Sequence, residues 1–196
     1  MRDFFRSYKL SSSKRNTLVV LFLLVYTASH AQFVVHNNGA EVSVSSGCIV
    51  SIVTGDLNND AGTIDNAGRI TVEGTLTNGD ILTGGGGSTG IFNVSGDWIN
   101  NSSFTADQSL VNINGGNQLI GGSFLSSFYN LNLLGTGVKS LGIDAHVEGL
   151  LQLNNLEFAT DVNTLRVLNP SSSAITENGG FVSSLGTGRL SWVMNS

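Results

Sequence analysis

Cysteine, proline and positive charge are all scarce in this sequence, and each scarcity excludes something. The single cysteine, Cys48, excludes an intramolecular disulfide. As a lone small apolar side chain it is expected in the core. The single proline, Pro170, leaves turn formation to other residues. Nine lysines and arginines face fourteen acids. Five of those cations (Arg2, Arg6, Lys9, Lys14 and Arg15) and one acid (Asp3) fall within the first 31 residues. The remainder carries four cations against thirteen acids, a net charge of −9. With only Arg69, Lys139, Arg166 and Arg189 as cations, it lacks the basic footprint needed to hold nucleic acid or an anionic membrane surface. Helical hydrophobic stripes are missing as well, which argues against a helical domain.

What is present begins with a leader. The basic residues precede Leu18–Tyr26, an unbroken apolar run of nine, and Ser29 and Ala31 then flank His30. A charged segment, a short apolar segment and a small-x-small site make up a secretory signal. Nine residues span about 14 Å as helix, about half a bilayer core, so stable membrane insertion is not expected. Cleavage is predicted after Ala31, leaving Gln32 as the new terminus, and no cysteine stands there to take a lipid. The expected location is outside a bacterial cell, secreted or at its surface.

All 25 glycines lie beyond the leader, together with 20 asparagines. Both residue types favour turns with positive φ over helix. Such a composition also occurs in disordered chains, but here Val, Ile, Leu and Phe recur throughout and charge is sparse, the reverse of a disordered sequence.

Internal repetition is the most informative feature. VTGDLNN from Val53, VEGTLTNG from Val72, VSGDWINN from Val94 and VEGLLQLNN from Val147 share one template, with weaker copies at Ile113 and Leu133. The steps between them are 19, 22, 19, 20 and 14 residues, and a further 20 reaches Val167. The short step predicts an insertion or phase change over residues 135–146. Within the copies apolar residues alternate: Ile70, Val72 and Leu76; Phe92, Val94 and Trp98; Val111 and Ile113; Leu131 and Leu133; Val147, Leu151 and Leu153; Leu165 and Val167. Period two is the strand signature. The fold class expected is all-β, a right-handed parallel β-helix (solenoid) with coils of about 20 residues. Roughly eight coils at a spacing of about 4.8 Å would make a rod of about 40 Å. Glycine would mark its corners, and asparagines at equivalent corners would form a ladder. An antiparallel β-sandwich is the alternative. Two regions follow: a signal peptide over 1–31 and a solenoid over 32–196.

The stretch FYNLNLLGTGVKSLGIDAHVEGLLQLNN from Phe128 resembles the F-x-N-L and G-T-G-x-K-x-L repeats of large secreted surface proteins of Bacteroidota-type bacteria. Those proteins are adhesin-like and often leave the cell by type IX secretion. The resemblance covers residues 32–193 and implies a non-catalytic surface module. It also implies further repeats and a C-terminal sorting domain. This sequence ends at SWVMNS without either, so a truncation is expected.

Candidate chemistry is limited. Asp56, Asn58 and Asp60 form D-x-N-x-D, the start of a calcium loop, and Asp65 offers a further oxygen. Ala61 and Ala67 stand where an EF-hand needs Gly and Glu, so the same residues also read as a polar corner. Asp144, His146 and Glu148 alternate on one strand face, an arrangement suited to metal ligation or acid–base work, and equally to a solvated polar face. Gly84–Gly87 lacks the lysine of a phosphate loop and reads as an excursion between coils. No G-x-S-x-G occurs, and His36 and His146 are the only histidines past the leader. No enzyme activity and no cofactor other than calcium are therefore expected. Trp192 and Tyr129 suit a sugar platform, whereas Trp98 occupies an inward position. The function expected is structural or adhesive. Alternatives are a carbohydrate-binding or carbohydrate-active β-helix, or a nonfunctional fragment of a longer protein. Expected partners are other surface proteins, glycans, or further copies meeting through the solenoid ends.

Overall fold

The structure, a computed structural model, describes residues 33–194. The leader and its cleavage site at Ala31 lie outside the described residues. From Phe33 onward the chain forms one compact unit of strands, with no helix among the described residues.

Each coil crosses three faces. The first face holds Leu76–Asn78, Trp98–Asn100, Gln118–Gly121, Val138–Leu141, Glu157–Ala159 and Phe181–Ser183. The second holds Ile81–Thr83, Ser103–Thr105, Ser126–Phe128, Ala145–Val147, Thr164–Val167 and Arg189–Trp192. Two twelve-residue strands, Phe33–Val44 and Gly55–Asn66, bend across both of these faces in the first two coils. The third face holds Ile49–Ile52, Arg69–Val72, Ile91–Val94, Leu110–Ile113, Asn130–Leu133, Leu151–Gln152 and Ile175–Thr176.

Strands pair in parallel with the coil before and the coil after, giving a β-solenoid of about seven turns with successive strands about 22 residues apart. This excludes the antiparallel sandwich and sets the coil slightly longer, and the coil count slightly lower, than expected. Inward residues form columns. On the third face Val50, Ile70, Phe92, Val111, Leu131, Leu151 and Ile175 lie in register. On the first face the column runs Leu57, Leu76, Trp98, Ile120 and Leu141. The alternation read from sequence accounts for this: Ile70 and Val72 are buried while Arg69 is exposed.

Two details of the repeat differ from the sequence reading. Ile52, not Val53, pairs with Val72. An extra residue at Thr54, with φ 57°, widens that corner and leaves Val53 58 % exposed. The 14-residue step is a change of face, with no insertion or phase change. Leu133 belongs to the third face and Val147 to the second, while Leu131 pairs with Leu151 at an ordinary interval.

Mid-stack, an aromatic cluster fills the interior. Trp98 packs edge-on against Phe104 and Phe92 at centroid distances of 4.9 and 5.8 Å, and Phe128 lies 5.5 Å away. Trp98 is fully buried, as its template position predicted, and its Nε1 donates to Ser126 Oγ at 3.0 Å. Here the second face is interrupted: Ser103–Thr105 ends one ladder and Ser126–Phe128 begins another.

Candidate functional site

The polar chemistry of this chain lies at coil corners, so corners are where a site must be sought. Where the first face turns into the second, Asn37, Asn59, Asn78 and Asn100 stack inside the solenoid, all buried. Each Nδ2 donates to the next Oδ1, at 2.9, 3.0 and 2.9 Å. The second amide proton satisfies a corner carbonyl: Asn59 bonds Ile81 O and Asn78 bonds Ser103 O, both at 2.9 Å. The ladder stops at Gly122, which follows the Gly121–Ile99 pair. There φ is +117°, and a Cβ would lie 2.0 Å from Asn100 O, so only glycine fits. A second ladder lies on the outer side of the third face. Asn154, Asn132 and Asn112 each donate to the previous asparagine, ending at Asn93, at 2.9, 2.9 and 2.8 Å.

The carboxylates act in the same way. Asp56, Glu73, Asp80, Asp97, Asp107 and Asp144 each accept a backbone N–H from an adjacent coil, at 2.6–3.0 Å. Asp65 accepts the Thr83 hydroxyl, Glu148 that of Ser127 at 2.7 Å, and Glu157 that of Ser183 at 2.5 Å. With Asp60, which meets His36 of the preceding coil, ten of the thirteen acids past the leader bond one coil to another. Burying a coil corner strands N–H groups that the sheet cannot pair, and a carboxylate is the strongest available acceptor.

The proposed calcium residues are strung along one bent strand. Asp56 and Asn58 belong to its first-face half and Asp65 to its second-face half. Asp60 lies at the bend, 2.5 Å from His36 Nδ1. Among the described residues, no group of three or more His, Cys, Asp or Glu side chains is placed to hold a metal ion. Asp144, His146 and Glu148 alternate outward, flanking buried Ala145 and Val147, and His146 stands in register between Ser127 and Arg166. Trp192 is partly buried, and its Nε1 donates to Asn169 O at 2.9 Å. Gly84 and Gly85 are buried corner residues, with only Gly86 and Gly87 projecting as an excursion. Cys48 is exposed, contrary to expectation. It sits on a turn of the first described coil, closed by its own N–H to Ser45 O, where no earlier coil among the described residues covers it.

One polar centre escaped the sequence reading. Lys139 is fully buried, and its Nζ donates to Gly115 O at 2.9 Å, Gly116 O at 2.5 Å, Thr136 O at 3.0 Å and Gln118 Oε1 at 2.8 Å. Gln118 Oε1 also accepts Gly115 N–H at 2.6 Å, and its Nε2 donates to Val94 O at 3.0 Å and to Gly96 O. Burial lowers the lysine from 10.5 to about 8. The pair plugs the corner between third and first faces, where three coils leave carbonyls pointing inward. The available signal was parity, since Lys139 shares the inward register of Leu141.

No family model matches the chain, and neither a curated protein nor a solved structure matches it.

Proposed function

We propose that this chain is an exported, non-catalytic structural or adhesive module of a bacterial surface, whose stacked coils present their outer faces to surface proteins or glycans. The observation that carries the reading is the use of polar side chains. Asp80, Asp97 and Asp144, three of the acids on which a hydrolytic or metal site would draw, bond backbone N–H groups of neighbouring coils. The leader pattern over residues 1–31 supports export, and the repeat resemblance supports a surface location. Fractionation and N-terminal sequencing after expression of the whole chain in a bacterium with its own export route test it. Recovery outside the cell with Gln32 first is the expected result. Retention in the cytoplasm with Met1 intact overturns it.

A further inference from the structure

We propose that the second face, over the ladder from Ser126–Phe128 to Arg189–Trp192, recognises carboxylate-bearing sugars, with Arg166 anchoring the carboxylate. The inference rests on the glycan part of the surface reading and deepens it by naming a face and a sugar class. Strands Ser126–Phe128, Ala145–Val147, Thr164–Val167 and Arg189–Trp192 pair in parallel, so their outward residues fall into columns about 4.8 Å apart from coil to coil. One column runs Ser127, His146, Arg166 and Ser191. Ala145, Val147, Leu165 and Val167 flank it and are fully buried, so the column points outward. Beside it, Thr164 and Arg189 stand in register, and Asp144 reaches the Thr164 N–H from the preceding coil. On the other side Glu148 follows Val147 as Tyr129 follows Phe128, with Glu148 exposed and Tyr129 partly so.

The distinctive feature of this face is which charges are engaged. Most acids of the chain bond one coil to another. By contrast, among the described residues Arg166, Arg189 and His146 make no hydrogen bond or ion pair, and both arginines are exposed. Lys139 is buried and Arg69 stands on the third face, so both remaining cations past the leader share this surface. An acidic chain offers no field to hold a polyanion at long range, so recognition here is local. The Arg166 guanidinium presents a planar fork that matches a carboxylate. The acids supply the other half of the match. Asp144 Oδ1 accepts Thr164 N–H at 2.6 Å and Glu148 Oε1 accepts Ser127 Oγ at 2.7 Å, and each carboxylate keeps a second oxygen to accept a hydroxyl. Tyr129 adds a ring against which an apolar C–H face can lie. A uronic acid carries the complement: one carboxylate, several hydroxyls and an apolar ring face. An acidic peptide brings carboxylates without those hydroxyls, so Asp144 and Glu148 repel it.

Isothermal titration calorimetry of the full chain against a short oligogalacturonate tests this, with its methyl ester and an oligoglutamate peptide as comparison probes. The acid is expected to bind, and the ester and the peptide to bind at least about tenfold more weakly, since each lacks one half of the match. Arg166→Gln is expected to weaken the acid by about tenfold or more, and Arg166→Lys to recover only part of that, because lysine lacks the planar fork. Arg69→Gln, on the third face, leaves binding unchanged. Arg166 is exposed, so its variants keep the fold, which circular dichroism verifies. Absence of binding by the acid overturns the proposal, as does equal binding of the ester or the peptide. Full-strength binding by Arg166→Gln also overturns it. None of these results bears on export, which the cell fraction and the first residue decide separately.

Discussion

Lys139 shows how far a single residue can depart from the pattern around it. Its neighbours Leu141 and Phe158 on the same face bury aliphatic and aromatic side chains, yet it buries an ammonium group and meets four oxygens, one of them from its neighbour Gln118, with no carboxylate among them. Removing it leaves several inward carbonyls without a donor, each costing about 1–3 kcal/mol. Lys139→Met is therefore expected to lower unfolding stability by about 3 kcal/mol or more, read by urea denaturation. The pH dependence has a definite sign. The folded protein releases this proton near pH 8, whereas the unfolded chain holds it to about 10.5. Between those values the unfolded state binds more protons, so stability rises with pH. The stability gap between wild type and Lys139→Met is expected to widen from pH 8 to pH 10; a gap that narrows contradicts the assignment. Parity made the inward direction of Lys139 legible in sequence. Its acceptors were not legible, because they come from corners of different coils more than 20 residues away for Gly115, Gly116 and Gln118.

At the scale of strands and corners, alternation was the reliable signal and register the weak one. Every alternating set that the sequence marked as inward is buried, from Ile70 and Val72 to Leu165 and Val167. The template itself misled, because one piece of local chemistry serves two corners. Val72-Glu-Gly-Thr-Leu76 carries the chain from the third face to the first, whereas Val147-Glu-Gly-Leu-Leu151 carries it from the second to the third. In both, the glycine sits where a Cβ would strike a carbonyl of the preceding coil, Gly55 O or Tyr129 O. Nothing local distinguishes the two corners, so a change of face looked like a broken repeat. The buried ladder was foreseen in kind, though not in its members. Asn78 makes three of its bonds, two as donor and one as acceptor. Asn78→Ala is expected to cost about 2 kcal/mol, measured by chemical denaturation, with Asn78→Asp at least as damaging because it replaces two donors with a buried charge.

Taken whole, the molecule is a one-dimensional stack in which each coil is stabilised by its neighbours. The centre has the aromatic cluster and neighbours on both sides, while the first and last described coils each have one neighbour among the described residues. Native-state hydrogen exchange should show the slowest amides in Ile91–Val94, Trp98–Asn100 and Leu110–Ile113, and the fastest in Ile49–Ile52 and Arg189–Trp192. The central claim is that the acids of this chain are coil-to-coil acceptors. It is tested most directly by comparing two triple variants in urea denaturation. Asp80, Asp97 and Asp144 each accept one N–H of an adjacent coil. Replacing all three with Asn keeps an acceptor and removes charge. Replacing them with Ala removes both. The account predicts that the Asn variant keeps most of the wild-type stability while the Ala variant loses about 3–5 kcal/mol. Asn and Ala variants that unfold alike would contradict it.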